Sequence, residues 1–189
     1  ISTLAADKTI LKDIILHELG LPLDYGKSKS GHIIPSVYVY APNIELGNTD
    51  KLQIKIESLN SRVVSNSNFS KDINGNFTEI QETVLTDSIQ IDIFSRNSDA
   101  RLRRFEVLTA LHSVYAQQMQ EKHQIRIFQI PNGFRNTNFV EGSARIYRYT
   151  FTVNVTHKKQ YSKSVDYYDK FPIEASVDNI RNKEVINPL

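Results

Sequence analysis

The sequence contains no cysteine. Thiol catalysis, cysteine-ligated zinc and disulfide bonds are therefore excluded as sources of activity or stability. Glycine is scarce as well, with seven residues in 189. Neither a Gly-x-Gly-x-x-Gly nor a Gly-x-Ser-x-Gly motif occurs, so two common signatures of enzymes are missing.

An excess of charge of one sign is also lacking. The chain has 23 basic and 21 acidic side chains, for a formal net charge of +2, so bulk charge does not indicate nucleic-acid binding. No apolar run approaches the roughly 20 residues that a membrane-spanning helix needs. The first residues lack the basic region and the apolar stretch of a signal peptide, and we expect neither a signal peptide nor a membrane partner.

The composition supports one compact domain, with or without arms. The chain is 40% hydrophobic and 10% aromatic. A compact fold of this length buries roughly 70% of the surface that its unfolded chain exposes. A hydrophobic core is therefore sufficient to hold the fold, and we expect no cofactor and no structural metal.

Two segments have the spacing of amphipathic helices. Leu4–Leu19 carries apolar residues along one side and is followed by Gly20, a common helix end. The second helix begins near Asp99, which suits its positive end, and extends to about Gln120. Its apolar residues recur every three or four positions, and the first four are expected to pack on a sheet: Leu102, Phe105, Leu108, Leu111 and Tyr115.

Several segments alternate between apolar and polar side chains, as half-buried strands do. The clearest is Asp87–Ser95, in which three alternate isoleucines share the face expected beneath the second helix. Asp87 and Asp92 fall on opposite faces of it, so they do not form a paired acid–base site. The other predicted strands are Ser36–Tyr40, Lys51–Glu57, His123–Ile130 and Ala144–His157.

The order of these elements predicts an α+β fold. We expect a mostly antiparallel sheet packed by two helices, with a long β-hairpin and a C-terminal extended arm. The α+β domain is placed at residues 1–157, with the projecting hairpin at about 60–86. The arm is placed at residues 158–189.

The hairpin and the arm are the expected subunit interfaces. Asn74-Gly75 is a strong signal for a hairpin turn. Exposed aromatic residues near its tip need a partner surface, and the alternative is that they fold back on the parent domain. Ordered aromatic residues in the arm imply contact with its own body or a neighbour's. The candidate interface residues are Phe69, Phe77, Tyr161, Tyr167 and Tyr168.

No set of residues predicts catalysis or metal binding. The five histidines never pair at metal-ligand spacing, and each is expected to be structural or at the surface. The loop Gly26–Gly31 has two glycines and two lysines, but it lacks the order and the preceding strand of a phosphate-binding loop. A solvated loop is therefore expected, and we expect a protein that is not an enzyme.

Two basic groups are the candidates for contact with an anionic partner. The second helix opens with Arg101, Arg103 and Arg104, where positive charge opposes the helix dipole. Either an acidic partner or phosphate backbone, or simply a solvated face, would account for them. The candidates for channel-lining or DNA-facing positions, without sequence readout, are Arg135, Arg145 and Arg148.

One combination of segments resembles a known family. The strand Ser88–Ser95 leads into a capped helix, and Phe128–Asn132 then leads into Arg145–Val155. This pattern resembles the tail-terminator, or neck, proteins of long-tailed bacteriophages, and Pro35–Tyr40 fits the family's early strand after a proline. The resemblance covers roughly Leu4–His157 and rests on hydrophobic alternation with a few polar positions. The arm and the Asn-rich hairpin lie outside it.

The resemblance implies a structural virion protein of the neck or tail, assembled in the host cytoplasm. It implies a ring, usually of six copies, that caps the finished tail tube and joins it to the head, with no catalytic residues. The partners it implies are other copies of the chain, neighbouring neck and tail tube or sheath proteins, and passing DNA through non-specific contacts. Two alternatives stay open: another virion component (a head-completion adaptor, a tail tube subunit or a baseplate subunit), or a cellular binding module or enzyme.

Overall fold

A computed structural model of the protein describes residues 4–27, 30–39, 51–73, 76–141 and 144–164. Within these residues the helices are α1 (Leu4–Leu19), α2 (Asp99–Ala110) and α3 (Val114–His123). The strands are β1 (Asp24–Lys27), β2 (Ile33–Pro35), β3 (Val37–Tyr38), β4 (Gln53–Ile73), β5 (Asn76–Ser95), β6 (Ile125–Phe128), β7 (Arg135–Asn136), β8 (Phe139–Glu141) and β9 (Ala144–Ser164).

One sheet organises the fold, with the strand order β3-β4-β5-β9-β6. Its neighbouring strands are antiparallel except β3 and β4, which are parallel. The short strands β7 and β8 also pair with β9, along the edge that β6 occupies. The helices pack on one face of this sheet. The predicted α+β class with a mostly antiparallel sheet is therefore confirmed.

The main core lies between α1 and the central strands. Every second residue of β5 points toward the helices, so Ile89, Ile91 and Ile93 are all fully buried. Leu11 and Ile15 of α1 are equally buried against this face. Burying a side chain of this size stabilises the fold by roughly 1.5–3 kcal/mol. The predicted helix Leu4–Leu19 is observed with the same bounds.

The second predicted helix differs from the structure in two ways. It is broken after Ala110, and Ser113 caps α3 by accepting a 3.0 Å hydrogen bond from the amide of Ala116. The expected packing of its apolar residues was also wrong in part, since Leu102 is 70% and Phe105 52% exposed. Small side chains let α2 approach the sheet instead, and the buried positions are Ala100, Val107, Ala110 and Leu111.

The predicted β-hairpin at about 60–86 is confirmed, and its strands are continuous with the two predicted strands that flank it. β4 continues sixteen residues beyond Glu57, and β5 begins eleven residues before Asp87. β9 continues past His157 to Ser164, so the first seven residues of the predicted arm are strand. Residues 165–189, the rest of that arm, lie outside the described residues.

Two irregularities interrupt the pairing of β4 with β5. An extra residue of β4 is inserted between Ser58 and Asn60, and another between Val63 and Ser65. Such β-bulges bend a strand and increase its twist. The inserted residues are Leu59 and Val64, and both are exposed.

The glycine- and lysine-bearing loop joins two strands. Gly26 is the third residue of β1 and has a φ of +110°, and Gly31 precedes β2 with a φ of +82°, conformations that favour glycine. β1 and β2 form a two-stranded antiparallel sheet. A phosphate-binding loop requires a helix after the loop, and here a strand follows. A small second core next to this hairpin consists of Ile34, Tyr38, Phe94 and Ile146.

The observed packing of α2 leads to a test with two leucines. Replacing buried Leu111 by alanine should lower the free energy of unfolding by about 2–5 kcal/mol, because the core between the helices and the sheet loses packing contacts and a cavity remains. The same replacement at exposed Leu102 should change it by less than about 0.5 kcal/mol. Chemical denaturation of both variants measures the difference, and equal losses would contradict the assigned faces.

Candidate functional site

The most unusual feature of the molecule is a long extension of its sheet. We call it the ribbon, and it consists of residues 59–73 of β4, 76–85 of β5 and 158–164 of β9. Every described side chain from Leu59 to Ser70 is exposed, so neither face of this part of β4 is covered. Fifteen strand residues span roughly 50 Å. Strands in globular proteins usually have about 3–10 residues, so these strands extend beyond the body.

Cross-strand contacts hold the ribbon together. Glu82 of β5 accepts hydrogen bonds from Lys158 (2.9 Å) and from Gln160 (3.2 Å) of β9. Thr86 and Thr156 share a 3.0 Å hydrogen bond where the ribbon joins the body. Cross-strand pairs of this kind stabilise a sheet modestly. The ribbon is therefore held mainly by backbone pairing and polar contacts.

The ribbon also exposes apolar side chains. Phe69 is 46% and Tyr161 59% exposed. The aromatic ring of Phe69 stands opposite Ile80 of β5, and no other element covers it among the described residues. The expected alternative, in which Phe69 folds back on the parent domain, is therefore not what the structure shows. The other exposed large apolar residues among the described side chains of the ribbon are Leu59, Val63 and Val64.

Both edges of the ribbon are open among the described strands. β3 pairs with β4 only at Ile54 and Lys55. β6 pairs with β9 no further than His157. The backbone donors and acceptors on the outer edges of β4 and β9 beyond these points are therefore free to pair with another strand. The ribbon combines exposed apolar side chains with two different free edges.

A cluster of ionisable residues lies where the ribbon meets the body. Asp7 in the first turns of α1, Asp87 of β5 and His157 of β9 are all at most 2% exposed. The Nδ1 atom of His157 lies 2.5 Å from Oδ2 of Asp7 and 3.5 Å from Oδ2 of Asp87. We call these three residues the base cluster. In the described part of the chain, this is the one group of three or more His, Cys, Asp or Glu residues close enough together to hold a metal ion.

Reasoning from the sequence missed the base cluster, although a signal was present. Asp87 occupies the same strand face as the buried isoleucines, and His157 the same face as Val153 and Val155. Asp7 lies four residues before Leu11 on α1, hence on the same side of the helix. The sequence therefore places one polar residue on the apolar face of each of the elements α1, β5 and β9. Their meeting in space depends on the register of strands about 70 residues apart.

The opposite face of the sheet carries a second buried carboxylate. Asp92 is 1% exposed and accepts hydrogen bonds from Arg148 and from the hydroxyl of Thr150, both at 2.6 Å. Asp87 and Asp92 therefore lie on opposite faces, as the alternation predicts. Arg148 is one of the candidate DNA-facing residues, and its charge is compensated here by Asp92.

The other candidate residues occupy separate positions. Arg135 of β7 is opposite Thr150 and exposed, on the face that Arg148 shares. Arg145 of β9 is exposed on the other face, with its guanidinium 5.4 Å from the ring centroid of Tyr147. The three arginines therefore do not share one face. Phe77 is a residue of β5 whose side chain lies outside the described part of the structure, and Tyr167 and Tyr168 lie outside the described residues.

The arginines at the start of the second helix have local partners. Arg103 donates a 2.7 Å hydrogen bond to Glu106 and a 3.1 Å bond to the carbonyl of Leu19. The guanidinium of Arg104 lies 4.9 Å from the ring centroid of Tyr149. These contacts give both side chains a role within the fold.

The ribbon contact between Glu82 and Lys158 leads to a test by pH. The hydrogen bond from Lys158 holds the pKa of the Glu82 carboxyl below its ordinary value. A depressed pKa contributes stability above the unfolded-state pKa, and that contribution is lost as the pH falls through the folded-state pKa. We expect Lys158→Ala to raise the pKa of Glu82 in an NMR titration of its carboxyl carbon. Lys159→Ala, on the opposite face of the ribbon, should leave it unchanged, and equal shifts would contradict the pairing.

Comparison with known proteins assigns no family to the chain. No protein-family model matches it, and no curated protein is similar to it in sequence. No helix in the described residues is long and apolar enough to span a membrane. The conclusion about function therefore depends on the ribbon and its surroundings.

Proposed function

We propose that this chain is a structural assembly subunit of a bacteriophage neck. In this proposal it forms a ring of six copies, the number that the family resemblance implies, and this ring terminates the tail tube and connects it to the head. The observation that carries the proposal is the ribbon, a three-stranded extension that exposes both faces and both edges. The resemblance of the strand–helix segments to tail-terminator proteins supports the same reading.

The edges of the ribbon support assembly into a ring. The open edge of β4 and the open edge of β9 are different surfaces on opposite sides of the same three strands. A contact between unlike surfaces repeats head to tail, and it closes into a ring when the rotation between copies permits. Pairing between the two edges would satisfy backbone groups that face water in the single chain.

The exposed apolar side chains support the same role. Phe69 on β4 and Tyr161 on β9 expose aromatic rings on opposite faces of the ribbon. Aromatic residues are enriched at protein interfaces and dominate their energetics when they become buried. Within the proposal, these residues contact neighbouring copies or the tube and sheath proteins. Contact with passing DNA through Arg135 and Arg145 stays a prediction.

Removal of residues 63–85, which form most of the β4 and β5 parts of the ribbon, tests whether the ribbon drives assembly. Arg62 and Thr86 are direct partners across β4 and β5, so a two-residue Asn-Gly turn can join them in place of residues 63–85. We expect the full chain to form rings in mass photometry and electron microscopy, and the shortened chain to stay monomeric while keeping its circular dichroism and unfolding transition. Rings formed equally well by the shortened chain would contradict the role of the ribbon.

A matched pair of phenylalanines localises the effect. Phe69 on the ribbon and Phe105 on α2 have similar exposure, 46% and 52%. Replacing Phe69 by serine should lower the affinity between copies, measured by the concentration at which rings dissociate, by about tenfold or more. Replacing Phe105 should affect stability through its edge-on contact with Phe134 and leave assembly within about threefold. A larger effect at Phe105 would place the contact on the helical layer.

Loss of the chain from the encoding phage separates the proposed role from the other virion roles. Loss of a terminator leaves tails of irregular length that do not join heads. Loss of a tube subunit leaves no tails, and loss of a head-completion adaptor leaves normal tails beside unjoined heads. Electron microscopy of the lysate distinguishes these three results. Intact particles without the chain would exclude all three roles.

A further inference from the structure

The base cluster places more negative than positive charge in the interior. Two carboxylates and one imidazole sum to −1 with the imidazole protonated and to −2 with it neutral. Buried charge is strongly unfavourable unless a proton or a cation balances it. Lys8 follows Asp7 on α1 and is also buried, at 5% exposure.

The hydrogen bonding of the cluster is also incomplete. Neither side-chain oxygen of Asp87 has a hydrogen-bond partner among the described residues, and Nε2 of His157 has none in the same part of the chain. Both side chains are only 1% exposed, so water at the surface does not reach them. Buried polar atoms of native proteins almost always have partners, and a missing ion is a recognised reason when they do not. The orphaned oxygens of Asp87 lie beside the imidazole of His157.

We propose that the base cluster binds one divalent cation of the zinc or manganese type. Imidazole nitrogen and carboxylate oxygen are the ligands that such cations take in proteins. The ligands would be one nitrogen of His157 and one oxygen each of Asp7 and Asp87, which lie within 4.8 Å of one another. A dipositive ion balances the two carboxylates and leaves the imidazole neutral. It also supplies the missing partner of Asp87.

The distances fit with a small adjustment. Ligand atoms at roughly 2.1 Å from a tetrahedral ion are roughly 3.4 Å apart. The observed 3.5 Å between Nδ1 of His157 and Oδ2 of Asp87 already matches this spacing. The 2.5 Å between Nδ1 and Oδ2 of Asp7 has to increase by roughly 1 Å.

The location of the site implies a structural ion. Its three ligands belong to α1, β5 and β9, which are far apart in the chain and meet where the ribbon leaves the body. An ion at this point ties the beginning of α1 to the two strands that continue into the ribbon. The proposal does not depend on the phage role, because the ligands belong to one chain and lie in its interior.

Metal titration of the purified full chain tests the site. After treatment with a chelator and dialysis, Zn²⁺ alone and Mn²⁺ alone are added in separate calorimetric titrations. We expect one ion bound per chain for at least one of the two cations, with a rise in melting temperature on binding. Asp87→Asn should lower the affinity by more than tenfold, since loss of a ligand exceeds the roughly 10–100-fold effect of losing a supporting partner.

Asp92→Asn is the matched control. It removes a buried carboxylate from the same strand but from the opposite face of the sheet, so it should leave the stoichiometry and affinity for the ion unchanged. Binding that persists undiminished in Asp87→Asn places the ion on another group, such as a surface histidine, and overturns the proposal. Absence of binding by the wild-type chain also overturns it, and then Lys8 or a shared proton balances the cluster.

A measurement on the wild-type chain covers the case in which Asp87→Asn does not fold. The imidazole nitrogens of His157 are followed by ¹⁵N NMR before and after addition of one equivalent of Zn²⁺. Coordination should shift one ring nitrogen of His157 strongly and leave the other four histidines unchanged. Shifts confined to the other histidines would count against the site.

Discussion

The continuous pairing of β5 on both sides is the constraint on which the rest of the structure depends. β5 pairs with β4 from Asn76 to Phe94 and with β9 from Thr78 to Ser95. This strand is therefore central both to the body, where its isoleucines form the core, and to the ribbon, where no core exists. A defect in its register would move the core face outward, because one residue of slip reverses every side chain.

The same three strands change character along their length. In the body, the face toward α1 is apolar and fully buried, and packing stabilises it. In the ribbon, on the other side of Asp87, the helices no longer cover the sheet, and the strands are rich in Ser, Asn, Thr, Glu and Lys. These residues keep an exposed sheet soluble, and charged side chains near its edges oppose pairing with arbitrary strands. The proposed assembly therefore requires a partner whose shape and charge fit, in addition to the free backbone groups.

The sequence predicted those features that depend on local patterns. Helix α1 and the alternation of β5 were recoverable because apolar spacing and helix ends are local signals. The Asn74-Gly75 signal likewise predicted the hairpin of β4 and β5. The seven residues by which β9 continues past His157 were not predicted, since a polar strand stabilised by its neighbours has the composition of a loop. The face of α2 was misassigned because Leu102 and Phe105 are larger than the alanines that let the helix approach the sheet. The base cluster required the register of β5 with β9, which no local pattern contains.

The two β-bulges of β4 have a consequence for the direction of its side chains. Each inserted residue reverses which face the following residues occupy, so the two together restore the alternation that holds near Ile54 and Ile56. Phe69 consequently stands on the face away from the helices, opposite Ile80. With only one of the two insertions, the same ring would stand on the opposite face of the ribbon. The number of inserted residues between Ile56 and Phe69 therefore decides which side chains each face of the ribbon presents. Two insertions or deletions in this segment keep the faces as they are, whereas a single one exchanges them.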